Sequence, residues 1–239
     1  MVTHVSLDGA LSLVSAVAIL GFAFPSYYVC VQYWGGRGLG ALVLLGGYAL
    51  LTETVAVETG FPYGAFSYSP LLGRQLFEAV PWTVAFAWTP LVLGTLTLAQ
   101  GWVRLKNVRQ QAAAEVLLSA LLLVLIDLQL DPAAVALGFW TWEHPAGFYA
   151  VPWSNFLGWF LSGTLGSMLA RFLLPSARPW PPAILRSLVG IVVFWAGACL
   201  SLKLWLPLMA GLAMLLMVRR HTQTGTRRAN FPNRLHQRR

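Results

Sequence analysis

Residues 116–135 read VLLSALLLVLIDLQLDPAAV, an apolar run that contains two acidic side chains, Asp127 and Asp131. A run of this length can cross the ~30 Å hydrocarbon core of a bilayer, which takes ~20 residues of α-helix. A charged side chain at the centre of a bilayer costs roughly 2.5–3.5 kcal/mol on insertion scales, so carboxyl groups in such a segment usually mark a functional site. The stretch therefore predicts a membrane helix that carries chemistry.

The rest of the chain has a similar composition. It is 57% hydrophobic and 10% charged, against roughly 25% charged residues in a soluble domain. Charge-free runs that are each long enough to cross a membrane lie at 9–36, 79–103 and 145–170, and shorter apolar runs lie at 38–52, 187–202 and 204–218. The N-terminus has no positive region, so we read the first run as a membrane helix and not as a signal peptide. We expect one all-α membrane domain over 1–218 and a basic tail over 219–239.

The number of crossings depends on the segment 187–218. As one helix it would be about 48 Å long at 1.5 Å per residue, which is too long for a bilayer without severe tilt. Two helices instead give seven crossings, although the turn near Lys203 has neither glycine nor proline. With the N-terminus outside, all 16 basic residues except Arg74 and Lys203 then lie on the cytoplasmic side. The positive-inside rule therefore favours a polytopic bundle of about seven transmembrane helices in the cell (inner) membrane, with a cytoplasmic tail.

The basic tail and the aromatic outer loops can both be explained by contact with the membrane surface. A run of arginine beside a membrane helix is more typical of contact with anionic lipid headgroups than of nucleic-acid binding. The predicted outer loops, 60–80 and 131–152, are rich in aromatic residues that could form an interfacial belt. Both loops return to the membrane through Val-Pro-Trp, at 80–82 and 151–153. Proline suits the first turn of a helix, so we expect helices to begin there.

The predicted topology brings several acids to the outer end of the bundle. Asp127 and Asp131 are four residues apart and share one helix face. Glu53 and Glu58 are five residues apart, about 140° around a helix, so both reach one spot only if the helix unwinds near Gly60. Carboxyl groups without cationic partners in a low-dielectric setting tend to stay protonated. A protonated carboxyl beside an ionised one is the usual acid–base pair.

Four segments resemble one protein family. They are 58–68 (ETGFPYGAFSY), 127–132 (DLQLDP), 138–142 (GFWTW) and 148–159, which contains FYAVP and NFLGW. They are similar to the membrane-embedded carotenoid 1,2-hydratases of the carotenoid biosynthesis protein family, which act on γ-carotene, lycopene or bisanhydrobacterioruberin. The resemblance spans roughly residues 50–165.

The resemblance implies a cofactor-independent hydro-lyase. It would add water across the terminal C1=C2 double bond of an acyclic carotenoid end group and give a tertiary 1-hydroxy carotenoid. The sequence has no nucleotide loop, metal-ligand cluster or flavin fingerprint, so neither a cofactor nor a metal is expected. The expected catalytic residues are Asp127, Asp131 and Glu58. Expected supporting or substrate-binding residues are Glu53, Tyr63, Tyr68, Trp140, Trp142, Glu143, His144, Tyr149, Asn155 and Trp159.

Two other functional classes stay open on the sequence. A proton-coupled transporter also places carboxyl groups in the membrane, but here the acids cluster at one end, and the chain is short for an inverted-repeat transporter. The other class is a non-catalytic carotenoid-binding factor that assembles neighbouring pathway enzymes. The expected partners of the hydratase are a membrane-dissolved carotenoid, water and those neighbouring enzymes.

Overall fold

Seven α-helices form the described part of the computed structural model, which covers residues 7–76, 78–174 and 179–230. In chain order they are α1 (Leu7–Trp34), α2 (Gly36–Thr59), α3 (Val84–Trp102), α4 (Val108–Ala136), α5 (Trp153–Leu173), α6 (Leu185–Ser201) and α7 (Trp205–Asn230). The first six are long and apolar enough to cross a membrane. The predicted all-α, multi-pass membrane bundle is therefore confirmed, whereas its orientation and its seventh crossing stay predictions. Arg178 and residues 231–239 of the predicted tail lie outside the described residues.

The segment 187–218 forms two helices, as the length argument predicted. The turn between them is a Schellman motif, in which Leu204 N–H donates to Cys199 O at 2.8 Å and Lys203 N–H donates to Leu200 O at 3.2 Å. Lys203 has φ 58°, the left-handed conformation that glycine usually supplies. The missing glycine therefore does not prevent the turn. The predicted tail begins inside α7, which continues past Arg219 to Asn230.

The helix that carries the two aspartates is longer than the sequence suggested. Pro132 lies inside α4, which continues to Ala136. It ends in a second Schellman motif, in which Phe139 N–H donates to Ala134 O at 2.9 Å and Gly138 has φ 72°. The expected loop at 131–152 therefore begins only after Ala136. This correction places Asp131 on a continuous helix, one turn beyond Asp127.

A small sheet covers the end of the bundle that contains the α2–α3 and α4–α5 connections, which we call the loop end. Strand β1 (Phe66–Tyr68) of the first connection pairs antiparallel with β4 (Trp140–Trp142) of the second, with Tyr68 opposite Trp140. The two other strands, β2 (Gln75–Leu76) and β3 (Val80–Pro81), form a hairpin within the first connection. Pro81 thus lies in a strand and α3 begins at Val84, contrary to the expected helix start. The second proline, Pro152, directly precedes α5 as expected.

Strand alternation explains why the loop aromatics are not a simple surface belt. Successive side chains of a strand point to opposite faces. Ser67 and Thr141 are exposed, whereas Phe66 and Trp142 are buried against each other with ring centroids 5.0 Å apart. Tyr68 and Trp140 face the same side and lie 5.9 Å apart. The sheet therefore turns its aromatic rings toward the bundle and ties the two connections together.

Candidate active site

Two aspartates and one asparagine form a buried polar cluster between α4 and α5. Asp127 and Asp131 lie on one face of α4, and Asn155 lies in the first turn of α5. Asn155 Nδ2 donates to Asp127 Oδ2 at 2.8 Å and also to Asp131 Oδ2. All three side chains are buried. One amide group therefore fixes the positions of both carboxyl groups.

The two carboxyl groups lie close together, because one amide nitrogen donates to an oxygen of each. Two buried carboxyl groups at such a distance disfavour double ionisation, so one of the pair is expected to carry a proton. Oδ1 of Asp127 is buried and accepts no hydrogen bond from an amide or hydroxyl group among the described residues. The pair is thus arranged to hold one exchangeable proton.

A third carboxyl group, Glu53 of α2, extends this cluster. It is buried, and Tyr68 of β1 donates its hydroxyl hydrogen to Glu53 Oε2 at 2.8 Å. Burial, followed by the negative charge of Glu53, raises the pKa of Tyr68 well above its usual range, so the phenol stays a donor. Glu53 and Leu130, the residue that precedes Asp131 on α4, line one cavity. The sheet at the loop end thereby positions an acid that the sequence assigned only a supporting role.

These acids have no basic partner among the described residues. The salt bridge found there joins Arg171 Nε to Glu115 Oε2 at 3.0 Å. Glu115 lies three turns before Asp127 on α4, nearer the opposite end of the bundle. Glu53 and the aspartate pair therefore form no ion pairs in the described part of the chain. This agrees with the expectation from the sequence.

A cavity of about 160 Å³ opens beside Glu53. Its walls are mainly apolar and aromatic, and Tyr68, Trp88, Trp140 and Trp159 contribute to them. Among the described residues, Glu53 is the acidic one in this lining, and neither aspartate contributes to it. Aromatic faces stabilise a desolvated cation by ~2 kcal/mol or more. The cavity therefore combines a carboxyl group with walls suited to a cationic intermediate.

Tyr63 packs against α5 and does not line the cavity. Its ring is buried, its hydroxyl group donates to Ser162 Oγ at 3.0 Å, and its carbonyl oxygen accepts from Ser154 Oγ at 2.8 Å. Burial raises the pKa of Tyr63 well above its usual range. A β-carbon on Gly158 would collide with the Tyr63 ring. The small residue therefore makes room for an aromatic side chain.

A second glycine of α5 makes room for an aromatic ring in the same way. A β-carbon on Gly166 would collide with the Trp88 ring of α3. Gly158, Ser162 and Gly166 are spaced four residues apart on α5, and this face of small residues seats Tyr63 and Trp88. The hydrogen bond between Ser162 and Tyr63 could not be inferred from the spacing alone.

The structure does not bring the other predicted residues to the cavity. Glu58 is exposed in the last turn of α2, which stays helical to Thr59 and does not unwind as the sequence analysis required. Glu143, His144 and Tyr149 are exposed in the α4–α5 connection. Trp142 is buried against Phe66 and does not line the cavity. Of the ten supporting residues, the cavity walls contain Glu53, Tyr68, Trp140 and Trp159.

Comparisons with known proteins agree with the resemblance found in the four sequence segments. A family model described as carotenoid biosynthesis protein matches residues 11–218. A bisanhydrobacterioruberin hydratase of Haloarcula japonica is 39% identical over 181 residues. The aligned region is 74% of this chain and 60% of that relative's length. No solved structure matches the chain. The chain belongs to the carotenoid biosynthesis protein family.

Proposed function

We propose that this protein is a carotenoid hydratase, a hydro-lyase that adds water across the C1=C2 double bond of an acyclic carotenoid end group. The observation that carries the proposal is a buried aspartate pair held by one amide group, together with a third carboxyl group, Glu53, that lines an aromatic cavity. The relative from Haloarcula japonica is named as a bisanhydrobacterioruberin hydratase. The substrate would be dissolved in the bilayer, since a membrane domain carries the site.

The reaction needs one proton donor and one proton acceptor. A protonated carboxyl gives its proton to C2, and the π electrons of the double bond form the new C–H bond and leave a tertiary cation at C1. Water attacks C1, and a carboxylate takes the proton that the attacking water loses. The sum is one water added, with the number of protons on the protein unchanged. General acid and base groups typically contribute 10²–10⁴-fold each.

We assign the acid–base chemistry to Glu53, Asp127 and Asp131. Glu53 lines the cavity and is the carboxyl group that meets the end group. The aspartate pair would hold an exchangeable proton on α4, next to the cavity-lining Leu130, and would reset the protonation state of Glu53 after each turnover. Glu58 had been expected in this set, and its exposed position leads us to replace it with Glu53.

The aromatic walls have a separate task. Trp140 and Trp159 line the cavity, and their ring faces would stabilise the C1 cation without forming a bond to it. These apolar walls would also limit water around the cation, which disfavours side reactions. Asn155 and Tyr68 act as positioning residues, since each holds carboxyl groups by hydrogen bonds. The chain would work without a cofactor in the cell membrane, with its basic tail on anionic lipid.

Pigment analysis tests the proposal. Cells that make lycopene or γ-carotene should accumulate a product heavier than its precursor by one water when they express this chain. Cells that express it without any change in pigment, for both acyclic and monocyclic precursors, would contradict the proposal. That result would favour the transporter or assembly-factor reading instead.

A further inference from the structure

The cavity beside Glu53 is too small for a whole carotenoid. Its volume is about 160 Å³, whereas sites that enclose a drug-sized ligand measure ~300–1,000 Å³. A carotenoid is a long polyene and exceeds such a ligand in length. The cavity therefore accommodates the reacting end group, and the rest of the polyene must leave through an opening in the cavity wall.

The cavity walls differ in how far their side chains are exposed at the surface of the bundle. On the α4 and α5 side, Leu130 and Trp159 line the cavity and are both 8% exposed. On the α6 side, Phe194 lines the cavity and is 43% exposed at the surface of the bundle. One side chain thus belongs to both the cavity and the outer surface. The cavity therefore reaches the surface of the bundle at α6.

Helix α1 forms the other edge of this opening. Its cavity-lining residues, Ser15, Ala18, Ile19 and Phe22, follow the spacing i, i+3, i+4, i+7 and occupy one helix face. The rings of Phe22 and Phe194 lie with centroids 5.5 Å apart across the two helices. Neighbouring side chains such as Val14 and Val193 are exposed and apolar. The opening between α1 and α6 therefore faces the region where the lipid chains would lie.

We propose, on the basis of the proposed hydratase function, that the gap between α1 and α6 is a lateral portal for the polyene chain. The end group enters beside Glu53, and the conjugated chain passes the Phe22 and Phe194 rings into the bilayer. Because the polyene beyond the portal would lie in lipid, the protein would make no contact with the far end of the substrate.

Reversible blocking of single cysteine variants tests the portal. Phe194→Cys and Ser15→Cys place a thiol on the α6 and α1 edges, and benzyl methanethiosulfonate adds a bulky group that dithiothreitol removes. The matched controls are Val193→Cys and Val14→Cys, which are the neighbouring exposed residues on the same helices and do not line the cavity. The native thiols of Cys30 and Cys199 are buried, and labelled wild-type protein controls for any reaction there.

Each variant is compared with its own unlabelled activity in membranes that contain an acyclic carotenoid. Labelled Phe194→Cys and Ser15→Cys should lose hydration and regain it after reduction, whereas labelled Val193→Cys and Val14→Cys should keep it. Ser15→Cys is nearly isosteric, so it supplies the readout if Phe194→Cys is inactive before labelling. Full activity of both labelled portal variants would overturn the portal and leave the hydratase intact. Wild-type protein that hydrates nothing would instead refute the proposed function.

Discussion

The hydroxyl group of Tyr68 lies 2.8 Å from Glu53 Oε2, and this hydrogen bond joins the sheet at the loop end to the acidic cluster inside the bundle. Tyr68 is also paired with Trp140 of β4. The register of two short strands therefore decides where a cavity-lining carboxyl group points. Residues far apart in sequence, 53, 68 and 140, act as one structural unit.

Tyr68→Phe tests this unit. The change keeps the ring against Trp140 and removes the hydrogen bond that the Tyr68 hydroxyl group donates to Glu53. A hydrogen bond to a charged group contributes ~1.5–3 kcal/mol, so we expect hydration to fall by about 10- to 100-fold with little change in the amount of folded protein. The measurement is product per unit of membrane-inserted protein. Tyr149→Phe, at an exposed ring, is the control, and equal activity of the two variants would show that the Tyr68–Glu53 bond has no catalytic role.

Gly158→Ala should destabilise the bundle. The new β-carbon would collide with the Tyr63 ring and the Pro62 carbonyl group, which should displace Tyr63 from Ser162. Overpacking of this kind typically costs ~1–3 kcal/mol. Gly47→Ala is the matched control, because a β-carbon there meets nothing within 4 Å and alanine is a better helix former by ~1 kcal/mol. Thermal unfolding in detergent should rank Gly158→Ala below wild type and Gly47→Ala at or above it; the reverse order would refute the packing account.

Lys203→Gly should stabilise the turn between α6 and α7. Lys203 adopts φ 58°, and the left-handed conformation costs a residue with a β-carbon roughly 1–2 kcal/mol. Glycine removes this strain and keeps both backbone hydrogen bonds of the Schellman motif. Leu202→Gly is the control, since Leu202 has φ −88° and gains no relief. A melting temperature that falls in Lys203→Gly would contradict the turn geometry.

The orientation in the membrane has its own test. We predict that the loop end faces outward and that the α3–α4 connection faces the cytoplasm, because the basic residues then lie inside. Thr141 and Lys106 are exposed in these two regions. In intact cells, a membrane-impermeant thiol reagent should label Thr141→Cys, and should label Lys106→Cys only after permeabilisation. The opposite pattern would reverse the topology.

The sequence was sufficient to predict the helices and the aspartate pair, and the reasons are physical. Long apolar runs form membrane helices because each backbone polar group must be satisfied within its segment. A spacing of four residues places Asp127 and Asp131 on one face of any α-helix. Neither inference depends on how the helices pack.

The features that the sequence analysis missed depend on contacts between distant segments. The pairing of β1 with β4 holds Tyr68, which donates to Glu53, and no local pattern encodes that pairing. The walls of α1 and α6 consist of ordinary apolar residues such as Ile19 and Ile191. Such residues carry no chemical signal until the fold places them around a cavity. The prediction that α4 ends near Pro132 was wrong, because the helix ends at the glycine-based motif around Gly138.

The most direct test of the central claim is the hydration activity of the aspartate variants. Asp127→Asn and Asp131→Asn are nearly isosteric and keep the contact with Asn155, so membrane insertion should stay near wild type. Each should lower product per unit of inserted protein by about 10²–10⁴-fold, because acid–base exchange within the pair is lost. Glu143→Gln, at an exposed side chain in the α4–α5 connection, should stay close to wild type. Full activity of both asparagine variants, together with loss of activity in Glu143→Gln, would contradict the assignment of the chemistry to this cluster.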